Sequence, residues 1–410
     1  MGASARDTVE AVARGSYGKL VAYLASTTGD LAAAEDAMGD ALVAALITWQ
    51  RQGVPDRPES WLLTAARRNL IDAVRRTDVA RRALPEMARA IEERSQLEAS
   101  SALPDRRLHL MFACAHPAID RSMHSPLMLQ VVLGLDATRI AEAFLMPAAT
   151  MSQRLVRVKA KIKQAGIPLV LPERHQLAVR LEAVLDAVYG AYGLVWDDGA
   201  DGADRSDDRA LRDEAIWLAR LLVALLPEEP ESNGLLALIL GIEARRGARR
   251  DDNGRYVPLD EQDPARWSVD LILEAEDHLR TAKGLGRTGP FQLHAAIQSV
   301  HNQRAVTGRT HSAAVARLYD GLATLHPSIG VLVARAAAYR TASGATHALD
   351  LLDALPTDVV DGYQPYWAVR AHCLQSLGHA DDARKAFDRA IALSRDPSVV
   401  AHLRRHRPPQ

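Results

Sequence analysis

Two cysteines in 410 residues, Cys114 and Cys373, lie too far apart to frame a disulfide-stapled domain. Such scarcity fits a reducing compartment, and both are read as free thiols. Aromatic residues are few, at 5%, whereas Ala, Leu and Arg abound, and no stretch alternates apolar and polar residues as a half-buried strand does. An all-α fold is expected. No apolar run reaches the length of a membrane span, and the N-terminal MGASARDTVEAV lacks the apolar centre of a signal peptide. These absences predict a cytoplasmic protein without membrane contact.

Catalytic machinery is missing too. Among 14 histidines there is no Ser or Cys nucleophile in a recognisable elbow, and no glycine loop follows a strand and opens a helix. The acidic run Asp197 to Asp208 superficially matches a calcium loop, but Gly199 stands where a ligand belongs and Asp208 where a bidentate Glu is needed. A flexible acidic loop is expected there. Cys114 and His116 form one close pair, without the second pair that a four-ligand zinc site requires. Hence no catalytic residue, no metal site and no cofactor are predicted.

Acid is absent from one stretch: no Asp or Glu occurs between Glu142 and Glu173. Within it Met151, Leu155, Val158 and Ile162 recur at helical spacing, so a helix docks by that stripe and leaves Thr150, Gln153, Arg154, Arg157 and Lys161 on other faces. Just upstream, Ile140, Ala141, Phe144 and Leu145 form a short apolar face, and Pro147 ends the pattern with a tight turn. Two short helices at an angle, the second basic, suit a DNA groove. A solvated basic helix is the simpler reading of that second segment alone.

A similar ambiguity attaches to Glu59 to Arg76. Leu62, Ala66, Leu70 and Ala73 share one side, with Arg67, Arg68, Asn69, Asp72, Arg75 and Arg76 around the rest, a mixture suited to phosphate contact and limited base reading. Although the net charge is only −1, its distribution is uneven: Arg67, Arg68, Arg75, Arg76, Arg81 and Arg82 cluster early, and acid gathers at Asp197 to Asp208 and at Glu228, Glu229 and Glu231.

A chain of this length exceeds one typical core, so several domains are expected. The first, 1–79, holds three helices broken at Thr27 to Asp30 and at Gly53 to Pro58. A polar Arg- and Glu-rich linker spans 80–103, a second small helical domain 104–165, and a Pro-bounded connector 166–180. The remainder, 181–410, is helical. Its WAVRAHCLQSLGHADDARKAFDRAIAL, Trp367 to Leu393, puts Ala383, Ala386, Phe387 and Ala390 at packing positions after a Gly-His turn and resembles one tetratricopeptide repeat. Val331 to Leu352 is a looser version, so an irregular repeat array is expected. Asp361 to Tyr366 is either a packed corner or a contact surface.

In order, AEDAMGDAL, WQRQGVPDRPESWLLTAARRNLIDAVRR, DRRLHLMFACAHPAI and the two-helix motif resemble the bacterial extracytoplasmic-function (ECF) sigma factors, and LPEEPESNGLLALILGIEARRGAR, DEQDPARW and GPFQLHAAIQSVH resemble the subgroup with a long tetratricopeptide-like extension. The resemblance implies sigma region 2 at 1–79, a helix-turn-helix region 4 at 104–165 and a regulatory extension that touches the sigma domains. It implies core RNA polymerase as partner, through the coiled coil of its largest subunit and its flap, with Glu35, Asp36 and Asp40 in the polymerase-facing helix. Promoter DNA is the second partner. Arg67, Arg68, Asn69, Asp72, Arg75 and Arg76 would face the melted −10 element, and the loop Gly53 to Ser60 would receive a flipped base. Thr150, Ser152, Gln153, Arg154, Arg157 and Lys161 would meet the −35 duplex, while the linker threads toward the polymerase's active-site and RNA-exit channels. Two departures stand out: Gly39 precedes Asp40 where the family carries a longer side chain, and Pro147 and Ala148 replace the usual cap and acid. A helical-repeat adaptor with an accessory DNA-binding module, never engaging polymerase, is the alternative.

Overall fold

The computed structural model describes residues 5–76, 105–195 and 206–409. Among them the protein is all-α, and the only β pairing is an isolated bridge between Arg250 and Tyr256. The described residues form two compact units, one of 5–76, 105–195 and 206–218, the other of 219–409. The expected linker at 80–103, with Arg81 and Arg82, and the acidic run as far as residue 205 lie outside the described residues.

In the first unit α1 (Ala5–Thr28), α2 (Leu31–Gln52) and α3 (Pro58–Arg76) pack together. Gly29, at φ 69°, ends α1, and the Asp30 carboxylate accepts the Ala33 amide to start α2. Leu20, Tyr23 and Leu24 of α1, Leu31, Met38 and Trp49 of α2, and Leu62, Ala66 and Leu70 of α3 are buried in its core. Ala73, expected on the same apolar side, is exposed near the end of α3.

Next come α4 (Arg107–Cys114), α5 (His124–Val131), α6 (Ala137–Ala143), α7 (Ala148–Gln164) and α8 (Arg174–Leu194). A side chain at Gly18 would run into the Val132 carbonyl, so α1 and the segment after α5 touch backbone to backbone. Within α8, Leu181, Val184, Leu185 and Val188 are buried, and the Arg180 guanidinium donates to the Phe112 carbonyl at 3.1 Å. The unit is completed by α9 (Ser206–Leu225) as far as Leu218.

The second unit is built on α10 (Pro230–Glu243), whose residues from Ser232 to Ile242 are all buried, as a helix apolar on every side must be. It packs against α11 (Val269–Gly284) and α12 (Pro290–Asn302). Here Glu231 accepts the Phe291 and Gln292 amides, and a Cβ at Gly289 would displace that carboxylate. Beyond the one-turn α13 (Arg304–Thr307) come α14 (Ser312–Leu325), α15 (Ile329–Ser343), α16 (Ala345–Asp353), α17 (Thr357–Val360), α18 (Gln364–Ser376), α19 (Ala380–Leu393) and α20 (Pro397–His406).

Each core patch here is shared by neighbours in sequence. Ile297, Val315, Leu322 and Val331 make one, Val333, Ala336, Leu352, Val360 and Tyr366 the next, and Ala371, Ala386, Phe387, Ala390 and Leu403 the last. A stack with this property has the quasi-linear packing of helical repeats. Ala383, Ala386, Phe387 and Ala390 are buried as their spacing predicts. At the 361–366 corner, Tyr366 is in the core and the Trp367 indole donates to the Asp361 carbonyl at 3.0 Å, so packing accounts for its aromatics.

Cys114 and Cys373 are free and buried. His116 accepts the Ala118 amide at 3.1 Å through Nδ1, and the described residues contain no group of three or more His, Cys, Asp or Glu arranged to hold a metal. No described helix is long and apolar enough to cross a membrane.

Candidate nucleic-acid interface

Two helices joined by a short turn carry the basic stretch. Asp136 caps α6 by accepting the Thr138 and Arg139 amides, and α6 ends at Ala143, two residues before its apolar spacing predicts. Phe144 and Leu145, expected on the buried face with Ile140 and Ala141, are instead 39% and 86% exposed. Leu145 turns the chain at φ 51°, a left-handed conformation that a branched side chain resists, and this rotates both side chains off the α6 face.

Pro147 starts α7 without a side-chain cap. Met151, Leu155, Val158 and Ile162 are buried, while Thr150, Ser152, Gln153, Arg154, Arg157 and Lys161 are all exposed. At 3.6 residues per turn, Thr150, Arg154, Arg157 and Lys161 share one line, with Gln153 beside it. Ser152 falls instead on the flank of Lys159 and Lys163. That flank is occupied: Lys159 Nζ donates to Glu35 at 2.9 Å, and Lys163 Nζ pairs with Asp30 at 2.7 Å.

Glu35 is therefore not available to an external partner in this arrangement. Burial pushes its carboxyl above the usual range, outweighing the hydrogen bond and charge of Lys159. The neighbouring Tyr17 phenol is also pushed up, by burial first and then by Glu35 and Asp36. Asp36 and Asp40 remain exposed on α2. They share their face with Val43 and Ile47, 57% and 58% exposed, which sequence reasoning overlooked. The signal was there: 36, 40, 43 and 47 fall on one helical line, so two β-branched aliphatic side chains and two acids share one exposed face. Gly39 lies on the same exposed side with open space where a Cβ would be.

The α3 residues divide. Arg67 donates to the Tyr23 hydroxyl at 2.6 Å and stands 5.1 Å from its ring centroid, and Asn69 donates its amide to the Ala37 carbonyl at 3.3 Å. Both thus tie α3 to α1 and α2, leaving Arg68 and Asp72 exposed. The side chains of Arg75 and Arg76 lie outside the described residues. Gly53, at φ 84°, closes α2 by donating to the Trp49 carbonyl, and most of the following loop is exposed beside the Trp49 and Trp61 edge-to-face pair at 5.5 Å.

Acidic residues of α9 reach the α6 and α7 module within the same unit. Arg139 pairs with Asp208 at 2.5 Å. Arg107, buried in α4, bonds to both Asp105 and Glu214 and stacks at 3.9 Å over the Trp217 ring. Planar stacking with two carboxylate partners is a role that Arg fills and Lys does not.

The Sigma-70 region 2 family model matches residues 13–79, which hold the later part of α1 and the whole of α2 and α3. A family of unknown function (DUF6596) matches residues 180–283, from α8 to α11. An uncharacterized protein of Rhizobium meliloti (strain 1021) is 37% identical over 378 residues, covering 90% of this chain and 88% of its own length. No solved structure matches.

Proposed function

Since residues 13–79 match the Sigma-70 region 2 family model, we propose that the chain is a sigma factor of ECF type whose C-terminal extension modulates it in cis. In this reading α2 engages core RNA polymerase through Asp36, Asp40, Val43 and Ile47, and Glu35 joins them once Lys159 lets go. The observation that carries the reading is this exposed acidic and aliphatic face on the helix that belongs to the matched region 2. The motif of α6 and α7 is a region 4 helix-turn-helix, its Thr150, Arg154, Arg157 and Lys161 line facing −35 duplex. Arg68 and Asp72 meet the melted −10 strand first, with Arg67 and Asn69 following if they leave Tyr23 and Ala37. Its action is binding and melting, without chemistry of its own.

The cis role rests on a physical coupling. The extension contributes α8 and the first part of α9 to the same compact unit as the helix-turn-helix, and Asp208 and Glu214 neutralise Arg139 and Arg107. Any polymerase contact by Glu35 must break its bond to Lys159, so core binding competes with this α2–α7 ion pair. The repeat-like stack of the second unit supports an extension of tetratricopeptide-like type.

Pull-down with purified core polymerase at low salt tests this. Wild type is expected to bind, Asp36→Arg to bind at least tenfold more weakly, and Asp208→Asn with Glu214→Gln to bind more tightly than wild type. Failure of wild type to bind would favour the adaptor alternative, and unchanged binding by the Asp208 and Glu214 variant would remove the cis mechanism.

A further inference from the structure

The second unit contains a cavity of about 340 Å³ that the transcription reading does not use. It lies among α12, α13, α14 and α15, and that volume falls within the range of small-molecule sites. One wall is Ala334, Ala337 and Ala338 on α15, with Val315 and Tyr319 from α14. Small side chains on one helix face leave the room, and the aromatic ring gives it an apolar side.

The polar lining is cationic. Arg304 is held rigidly, donating to the carbonyls of Leu259, Asp260 and Gln262. Arg340 is different: it is half-buried in the wall and has no hydrogen bond or ion pair among the described residues. Elsewhere in the unit Arg335, Arg370, Arg389 and Arg407 each have a carboxylate partner. The Arg340 guanidinium atoms are reached by solvent at the cavity, and the planar fork is shaped for an oxyanion. The hydroxyls of Thr310 and Ser312 stand at the same cavity, and Ser312 opens α14, whose start has no side-chain cap. The carboxylate in the lining, Asp260, is exposed.

The imidazoles nearby carry no charge at neutral pH. His301, in the lining, is lowered to about 4 by burial and then by Arg245 and Arg304. His372 is lowered to about 4 by burial and then by Arg340. Both are therefore neutral and leave the cationic character of the lining to Arg304 and Arg340.

We propose that this cavity binds a small organic oxyanion, a carboxylate or phosphate monoester on a compact apolar body, with Arg340 receiving the anionic group and the alanine wall the apolar one. The inference stands apart from the transcription reading, because none of its residues belongs to the polymerase or DNA surfaces.

Equilibrium dialysis of the full chain against benzoate and phenyl phosphate, at an ionic strength held constant with chloride, tests it. One equivalent per chain is expected, with whichever probe binds more tightly identifying the oxyanion. Arg340→Gln should weaken binding about tenfold to a hundredfold, the span of one charge-assisted hydrogen bond, and Ala337→Leu should abolish it by filling the cavity. Circular dichroism checks that both variants fold, and Arg340→Gln alone decides where the larger side chain disturbs α15. Undetectable binding of both probes, binding unaltered in Arg340→Gln, or inorganic phosphate binding as tightly as phenyl phosphate would overturn the proposal.

Discussion

At the residue scale the pair of Lys159 and Glu35 ties α7 to α2 within the first unit. Both side chains are mostly out of solvent, at 16% and 12% exposure, and burial raises the Glu35 carboxyl even with the ammonium beside it. The charge of Glu35 is thus tolerated rather than strongly favoured. Lys159→Ala leaves that carboxylate without its cation, and we expect a loss of about 1–3 kcal/mol in urea unfolding at neutral pH. The sign of the pH dependence follows from the raised folded value. A carboxyl that holds its proton more tightly when folded contributes stability below its ordinary range and loses it as pH rises through the raised folded value. The penalty in Lys159→Ala should therefore shrink as pH falls into the carboxylate range, and a penalty that grows on acidification would contradict the assignment.

At the element scale, α7 was legible because one helix face must be dry. The spacing of Met151, Leu155, Val158 and Ile162 is a strictly local property, and all four are buried. The same logic over-extended α6, since Phe144 and Leu145 fit its period but fall in the turn, where the left-handed Leu145 decides their direction. Ser152 was grouped with the basic face although its position is on the flank toward α2. Nor could local pattern show that Arg67 and Asn69 bond to Tyr23 and Ala37, because such partners come from other helices. For the exposed line of α7 the expectation is electrostatic. Arg157→Ala should lower affinity for duplex promoter DNA and reduce the slope of log affinity against log salt by about 1, the signature of one lost phosphate contact. Fluorescence anisotropy across a salt series measures it, and an unchanged slope would take Arg157 off the DNA.

For the whole molecule, composition was enough to give an all-α chain, because helix formers without strand alternation leave one architecture open. The division into units was harder to read. The matched segment of unknown function begins in α8, inside the first unit, and α9 crosses from one unit to the other. No break in composition marks that place, since α9 is one continuous amphipathic helix. The sigma region 2 match and the α6 and α7 pair thus sit in one compact body with the start of the segment of unknown function, and the proposed regulation in cis rests on that sharing.

The central claim is that this chain gives core polymerase a promoter. Run-off transcription with purified core, on a template carrying a promoter mapped from transcripts after overexpression, tests it most directly. A single defined start is expected with the chain present, absent with core alone and lost in Arg154→Ala with Arg157→Ala. Transcription identical to core alone would contradict the account.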